Sequence, residues 1–169
     1  MTYKESNAAY ALRSYVWKLL RVNLGWNQND YGLVPIITLA QQPEVMQSGK
    51  PFLVYGSAFY SPNHLYALRG ESISFNIFST DVDEANTIAN LLMDTFERQD
   101  ESASDVNDWI DLERENGKNR NVSFATINAV LVEKAVPSDD EGGFVSALVM
   151  LDTKYTSERT PVTQFIDYP

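Results

Sequence analysis

Ala8, Leu12, Tyr15, Leu19 and Val22 follow one another at spacings of 4, 3, 4 and 3, which draws a single apolar stripe along a helix over residues 6–24. Ser6 or Asn7 suits the start of that helix, because a short polar side chain can accept from the free N–H groups of a first turn. Lys18 and Arg21 sit toward the negative end of its dipole, and Gly25 stands where a left-handed residue ends a helix. A helix with one apolar face has to cover another layer. The rest of the chain supplies strands for it.

Residues 122–133 and 144–156 are two long runs of high β propensity, separated by Pro137-Ser138-Asp139-Asp140-Glu141-Gly142-Gly143. They predict a long antiparallel hairpin at the C-terminal side of the fold. Ile73, Phe75 and Ile77 alternate with Ser74, Asn76 and Phe78, so another strand presents one clearly apolar face. Residues 52–60 alternate aromatic and small side chains, and Gly56 in their middle marks a bulge or a close backbone approach. The apolar run 33–39, with Pro35 near its start, suits an edge strand, and residues 62–70 read as a turn. Asp81 and Glu84 have the spacing of a capping box, and the helix they open carries Ala85, Ile88, Ala89, Leu92 and Phe96 inward. Residues 100–119 are acidic and irregular, and Val106, Trp109, Ile110 and Leu112 anchor a short strand or turn there. The expected fold is therefore α+β: a mostly antiparallel or mixed sheet of about five strands with two main helices packed on it. Residues 1–156 form its single domain, and residues 157–169 form an extension or arm.

Length and composition agree with one packed domain. A chain of 169 residues that is 44% hydrophobic and 12% aromatic can bury roughly two thirds of its unfolded surface around one core. It contains no cysteine, which removes disulfides, thiolate nucleophiles and cysteine-ligated metals. The N-terminal residues lack the basic and apolar regions of a signal peptide, and no run of about 18 apolar residues occurs, so a cytosolic, soluble protein is expected. Asn121-Val122-Ser123 matches a glycosylation acceptor only by chance within a strand. The net charge of −10 is concentrated, because residues 81–115 hold 12 acidic and 2 basic side chains while the remainder holds 11 of each. An acidic surface of that kind repels a phosphate backbone, and no basic face stands out against it.

Chemistry is thinly represented. His64 is the sole histidine and has no second histidine for a metal pair or a nucleophile–base dyad. The carboxylates of residues 81–115 read as a solvated face rather than as an acid–base pair. Neither Asp81-Val82-Asp83-Glu84 nor Ser138-Asp139-Asp140-Glu141-Gly142-Gly143 has the alternating ligands and distant glutamate of a calcium loop. Glycines are too scattered to cradle a phosphate. The expectation is no enzyme, with no catalytic, cofactor-binding or metal residue. Most of Trp17, Trp26, Trp109 and the nine tyrosines belong to the core, but Tyr10 and Trp17 lie off the helical stripe and suit interface anchors.

The order of elements is helix, proline-started strand, the strand with Pro51-Phe52-Leu53-Val54-Tyr55-Gly56, then residues 70–79 feeding the helix with Glu84-Ala85-Asn86 and Ile88-Ala89-Asn90-Leu91-Leu92, and a closing hairpin. Over residues 6–156 this resembles the tail-terminator, or tail-completion, proteins of long-tailed bacteriophages. The resemblance implies a subunit of a homo-oligomeric ring, usually a hexamer, that caps the tail tube protein and joins it to the head–tail connector or neck protein. It also implies that genome DNA passes through the bore without specific binding, that the subunit is made in the host cytoplasm and resides in the virion, and that no reaction, cofactor or membrane is involved. The acidic segment and the longer C-terminal tail depart from the family pattern. Tyr155, Arg159, Phe165 and Tyr168 are the subunit-interface candidates, and whether residues 81–115 line the bore or face outward stays open. A second reading is a small acidic adaptor or chaperone-like module that holds a basic protein partner through its clustered charge.

Overall fold

A computed structural model describes residues 6–60, 68–117, 122–139 and 143–156. Helix α1 spans Asn7–Leu24, and a short strand β1 (Ile36–Ile37) is followed by a short helix α2 (Gln42–Met46). Strands β2 (Phe52–Tyr60) and β3 (Arg69–Ser79) lead into helices α3 (Val82–Phe96) and α4 (Gln99–Glu115), and β4 (Ser123–Glu133) and β5 (Val145–Thr156) close the fold. The five strands form one open mixed sheet in the order β1-β2-β3-β5-β4. Only the β1–β2 pair is parallel, and the last strand in sequence lies inside the sheet, antiparallel to both neighbours.

Alternation along the strands divides the molecule into two sides. Leu53, Ile73, Phe75, Ile77, Ala147, Val149 and Leu151 point to one face and are fully or almost fully buried under α1, α3 and α4. Their neighbours in sequence, among them Ser72, Ser74, Asn76, Ser146, Leu148 and Met150, point to the other face and are half-buried. On that second face a small cluster of Ile37, Val45, Phe52 and Val54 covers one end, with Phe52 stacked on Phe78 at 5.1 Å between ring centroids. The fold is thus the α+β sheet expected, with three long helices instead of two.

The third is α4. Its inward residues are Ser102, Ala103, Val106 and Ile110, a stripe half made of small side chains that carry little hydrophobic signal, and so residues 100–119 read from sequence as irregular. The face of α1 is also rotated from its expected position: Ala8, Ala9, Ala11, Leu12, Tyr15, Val16 and Leu20 are buried, whereas Val22 is 72% exposed. Three of these seven are alanines, so the packed face follows size as well as hydrophobicity. Residues 69 and 70 belong to β3 and not to a turn, since Arg69 pairs with Tyr155 and Gly70 with Lys154. Gly56 is a close approach without a bulge: it stays in register with Ser74, and a Cβ there would lie 3.2 Å from Ser74 Oγ. The bulges are in the β4–β5 pair.

The caps follow the sequence in kind. Ser6 Oγ accepts from the Ala9 amide at 3.0 Å, and Gly25, at φ 68°, ends α1 by donating to the Arg21 carbonyl at 3.1 Å. At α3, Asp81 Oδ1 accepts from the Asp83 amide, but Glu84 does not reach back to close a capping box. Its carboxylate accepts instead from Ser79 Oγ at 2.6 Å, and Ser79 Oγ in turn accepts from the Asp81 amide.

Candidate functional site

Glu71 is the one wholly buried carboxylate among the described residues, and it occupies the helix-covered face near the start of β3. Ser6 Oγ donates across its two oxygens at 2.9 and 2.8 Å, and Tyr155 Oη donates to Oε2 at 2.9 Å. Thr153 Oγ1 donates to the backbone carbonyl of the same residue. Each of these donors is a hydroxyl, so Glu71 belongs to a hydrogen-bonded latch between α1, β3 and β5 and not to a carboxyl pair. Burial and the adjacent Glu71 carboxylate push the Tyr155 hydroxyl well above the ordinary tyrosine range, which keeps it a neutral donor.

This arrangement bears on the interface candidates. Tyr155 is 2% exposed and is spent inside the molecule, with its ring edge-on to Phe124. Its alternation with half-buried neighbours in β5 places it on the covered face, so it offers no surface to a second chain. Arg159, Phe165 and Tyr168 lie outside the described residues, as does His64. No group of three or more potential metal ligands occurs among the described residues.

The exposed side of the molecule is more informative. Strand β4 is an edge strand, and asparagine side chains act as strand partners near its first residue and just beyond its last. Asn107 of α4 donates to the Phe124 carbonyl at 2.9 Å and accepts from the Phe124 amide at 2.8 Å. Asn86 of α3 does the same for Ala135, at 3.1 and 3.0 Å. Between these two clamps no described strand pairs with the outer edge of β4. Val130, Leu131, Val132 and, just beyond, Val136 are exposed there by 38% to 66%. A sheet edge with a free backbone and branched apolar side chains is a template for a further strand.

Two shallow hollows flank this layer. One, of about 390 Å³, lies on the open sheet face against Ser72, Thr126, Asn128, Asp152 and Lys154, and there Ser72 Oγ donates to Asp152 Oδ1. The other, of about 550 Å³, lies at the C-terminal end of α1 between Trp17, Arg21, Trp26 and the amides of residues 27–29. Arg21 stacks over the Trp17 ring at 5.8 Å, and Trp26 leans on Tyr31 at 6.0 Å. Of the two aromatic residues off the helical stripe, Tyr10 is 45% exposed and Trp17 lines this groove. The acidic residues of α4 are exposed apart from half-buried Glu113, and Arg98, just before the helix, pairs with Glu101 at 2.9 Å while Arg114 pairs with Asp111 at 3.2 Å.

Fold and surface together define a two-layer α+β protein whose β4 edge has no partner strand among the described residues. Compared with known proteins, the chain matches no family model, and no curated protein is significantly similar to it in sequence.

Proposed function

We propose that this chain is a structural assembly subunit, a ring-forming tail terminator that caps a tail tube and joins it to a head connector. The observation that carries the reading is the outer edge of β4, where Val130, Leu131 and Val132 stand exposed beside backbone with no described partner strand. Such an edge is a hazard in a lone monomer, and pairing with the next subunit of a closed ring removes it. The order of elements that resembles the tail terminators supports the same role. Carboxylates that face solvent on α3 and α4 suit a bore through which DNA slides without adhering.

Light scattering over a concentration series measures this directly, first on the full chain and then on a chain ending after Thr156. A species of six chain masses that is lost on truncation is the expected result. A monomer at every concentration sinks the ring and favours an acidic adaptor, whose binding to a basic partner weakens as salt rises.

A further inference from the structure

The turn that closes α1 builds a groove that the assembly reading leaves unused. Gly25 takes the left-handed conformation at φ 68°, and the Trp26 amide turns back to donate to the Leu20 carbonyl at 3.4 Å. That reversal brings Trp26 into one hollow with Trp17 and Arg21, and the chain that follows adds the side chains of Asn27, Gln28 and Asn29. The hollow measures about 550 Å³, within the roughly 300–1,000 Å³ of small-molecule sites.

Both indoles are held by a neighbour. The Arg21 guanidinium lies 5.8 Å from the Trp17 ring centroid, and Trp26 leans on Tyr31 at 6.0 Å. Tyr31 is itself fixed, since its hydroxyl donates to the Pro51 carbonyl at 2.6 Å and Lys50 stands over its ring. The polar groups are by contrast uncommitted. Among the described residues Arg21 pairs with no carboxylate, and the Gln28 and Asn29 carboxamides bond to no other side chain or carbonyl.

This lining discriminates between classes of ligand. A lipid needs aliphatic walls, and none of the lining side chains is aliphatic. A nucleic acid needs several cations, whereas Arg21 is the one cation among the described residues that line the groove, in a chain of net charge −10. A pyranose matches both halves of the site. Its C–H face packs on the apolar body of an indole, and its hydroxyls, which donate and accept, meet carboxamides that do the same. The guanidinium fork adds parallel donors for a pair of hydroxyls or for a sugar carboxylate. We infer that the Trp17–Arg21–Trp26 groove binds an oligosaccharide, with Gln28 and Asn29 as hydrogen-bonding residues. This site goes beyond the assembly reading and does not depend on it.

The indole N–H signals of the three tryptophans in the isotope-labelled full chain test it by nuclear magnetic resonance, each assigned through a tryptophan-to-phenylalanine variant. The probes are cellohexaose, chitohexaose and hexagalacturonate, titrated separately. At least one is expected to shift the Trp17 and Trp26 signals saturably while Trp109, packed against Tyr15 at 5.5 Å, stays in place. Gln28→Ala alters an exposed side chain and is expected to weaken that binding roughly tenfold, whereas Val22→Ala, at a 72% exposed position outside the groove, leaves it unchanged. Preference for the galacturonate that Arg21→Gln abolishes identifies an acidic sugar, and equal affinity for all three identifies recognition through hydroxyls. The site is overturned if no probe gives a saturable shift up to about 10 mM. It is equally overturned by a shift that Gln28→Ala and Arg21→Gln both leave intact, or by one that moves all three tryptophans alike.

Discussion

Tyr155 and Glu71 show how one hydroxyl can hold three elements together. The tyrosine donates to a carboxylate that also receives Ser6, so removing its oxygen leaves Glu71 buried with one donor fewer. Tyr155→Phe is expected to lower stability by about 1–3 kcal/mol, the cost of an under-satisfied buried group. A shift in the urea midpoint at unchanged slope would register it. The same residue gives a pH signature. Burial raises the proton affinity of Tyr155 and Tyr31 above the unfolded tyrosine value, with neighbouring carboxylates adding to it, and Tyr15 is raised in the same direction by burial and by Asp105. A group with a raised folded pKa adds stability that is complete below its unfolded value, here 10.0, and that is lost as pH climbs through the folded value. Stability is therefore expected to fall above about pH 10. In an ultraviolet titration three of the nine tyrosines should ionise only with unfolding. Tyrosinate absorbance that rises fully before the far-ultraviolet signal changes would contradict the latch.

At the scale of elements, the outer edge of β4 is held at Phe124, and just beyond the strand at Ala135, by two asparagines on other elements. Asn107→Ala and Asn86→Ala each remove a donor and an acceptor from backbone that has no other described partner at that edge, and each is expected to cost about 1–3 kcal/mol. They clamp opposite ends of the strand, so the double variant should lose close to the sum of the two, as urea unfolding can test. Val130→Lys, at an exposed position between the clamps, should leave the monomer within about 0.5 kcal/mol of wild type. It should nonetheless weaken self-association, because a charge on a sheet edge resists a further strand. Strands β2, β3 and β5 and helix α3 were legible in the sequence, because their apolar residues repeat at 2 or 3.6 and are large. Helix α4 was not, since Ser102 and Ala103 form half its buried face and its outer face is rich in aspartate, a residue of low helix propensity. Even less of the candidate site was legible. Asn86 and Ala135 are 49 residues apart, and nothing local in either segment signals that one will pair with the other. Burial of Glu71 was equally hidden, because a glutamate within a polar stretch carries no sign of the tyrosine that meets it 84 residues later.

Across the whole molecule, the most consequential choice is where β5 sits. Every second residue of that strand is buried, and it alone links the β1-β2-β3 part of the sheet to β4. A chain ending at residue 143 should keep some helix but show no cooperative urea transition, which circular dichroism during denaturation can establish. A ribosome makes β5, an interior strand of this sheet, after every other described strand. Until it emerges, β3 and β4 have no correct neighbour on their inner edges, and pairing them with each other would have to be undone. Translation that stops early therefore yields chains with no finished sheet. The strand order thus makes the finished sheet conditional on a chain synthesised through Thr156.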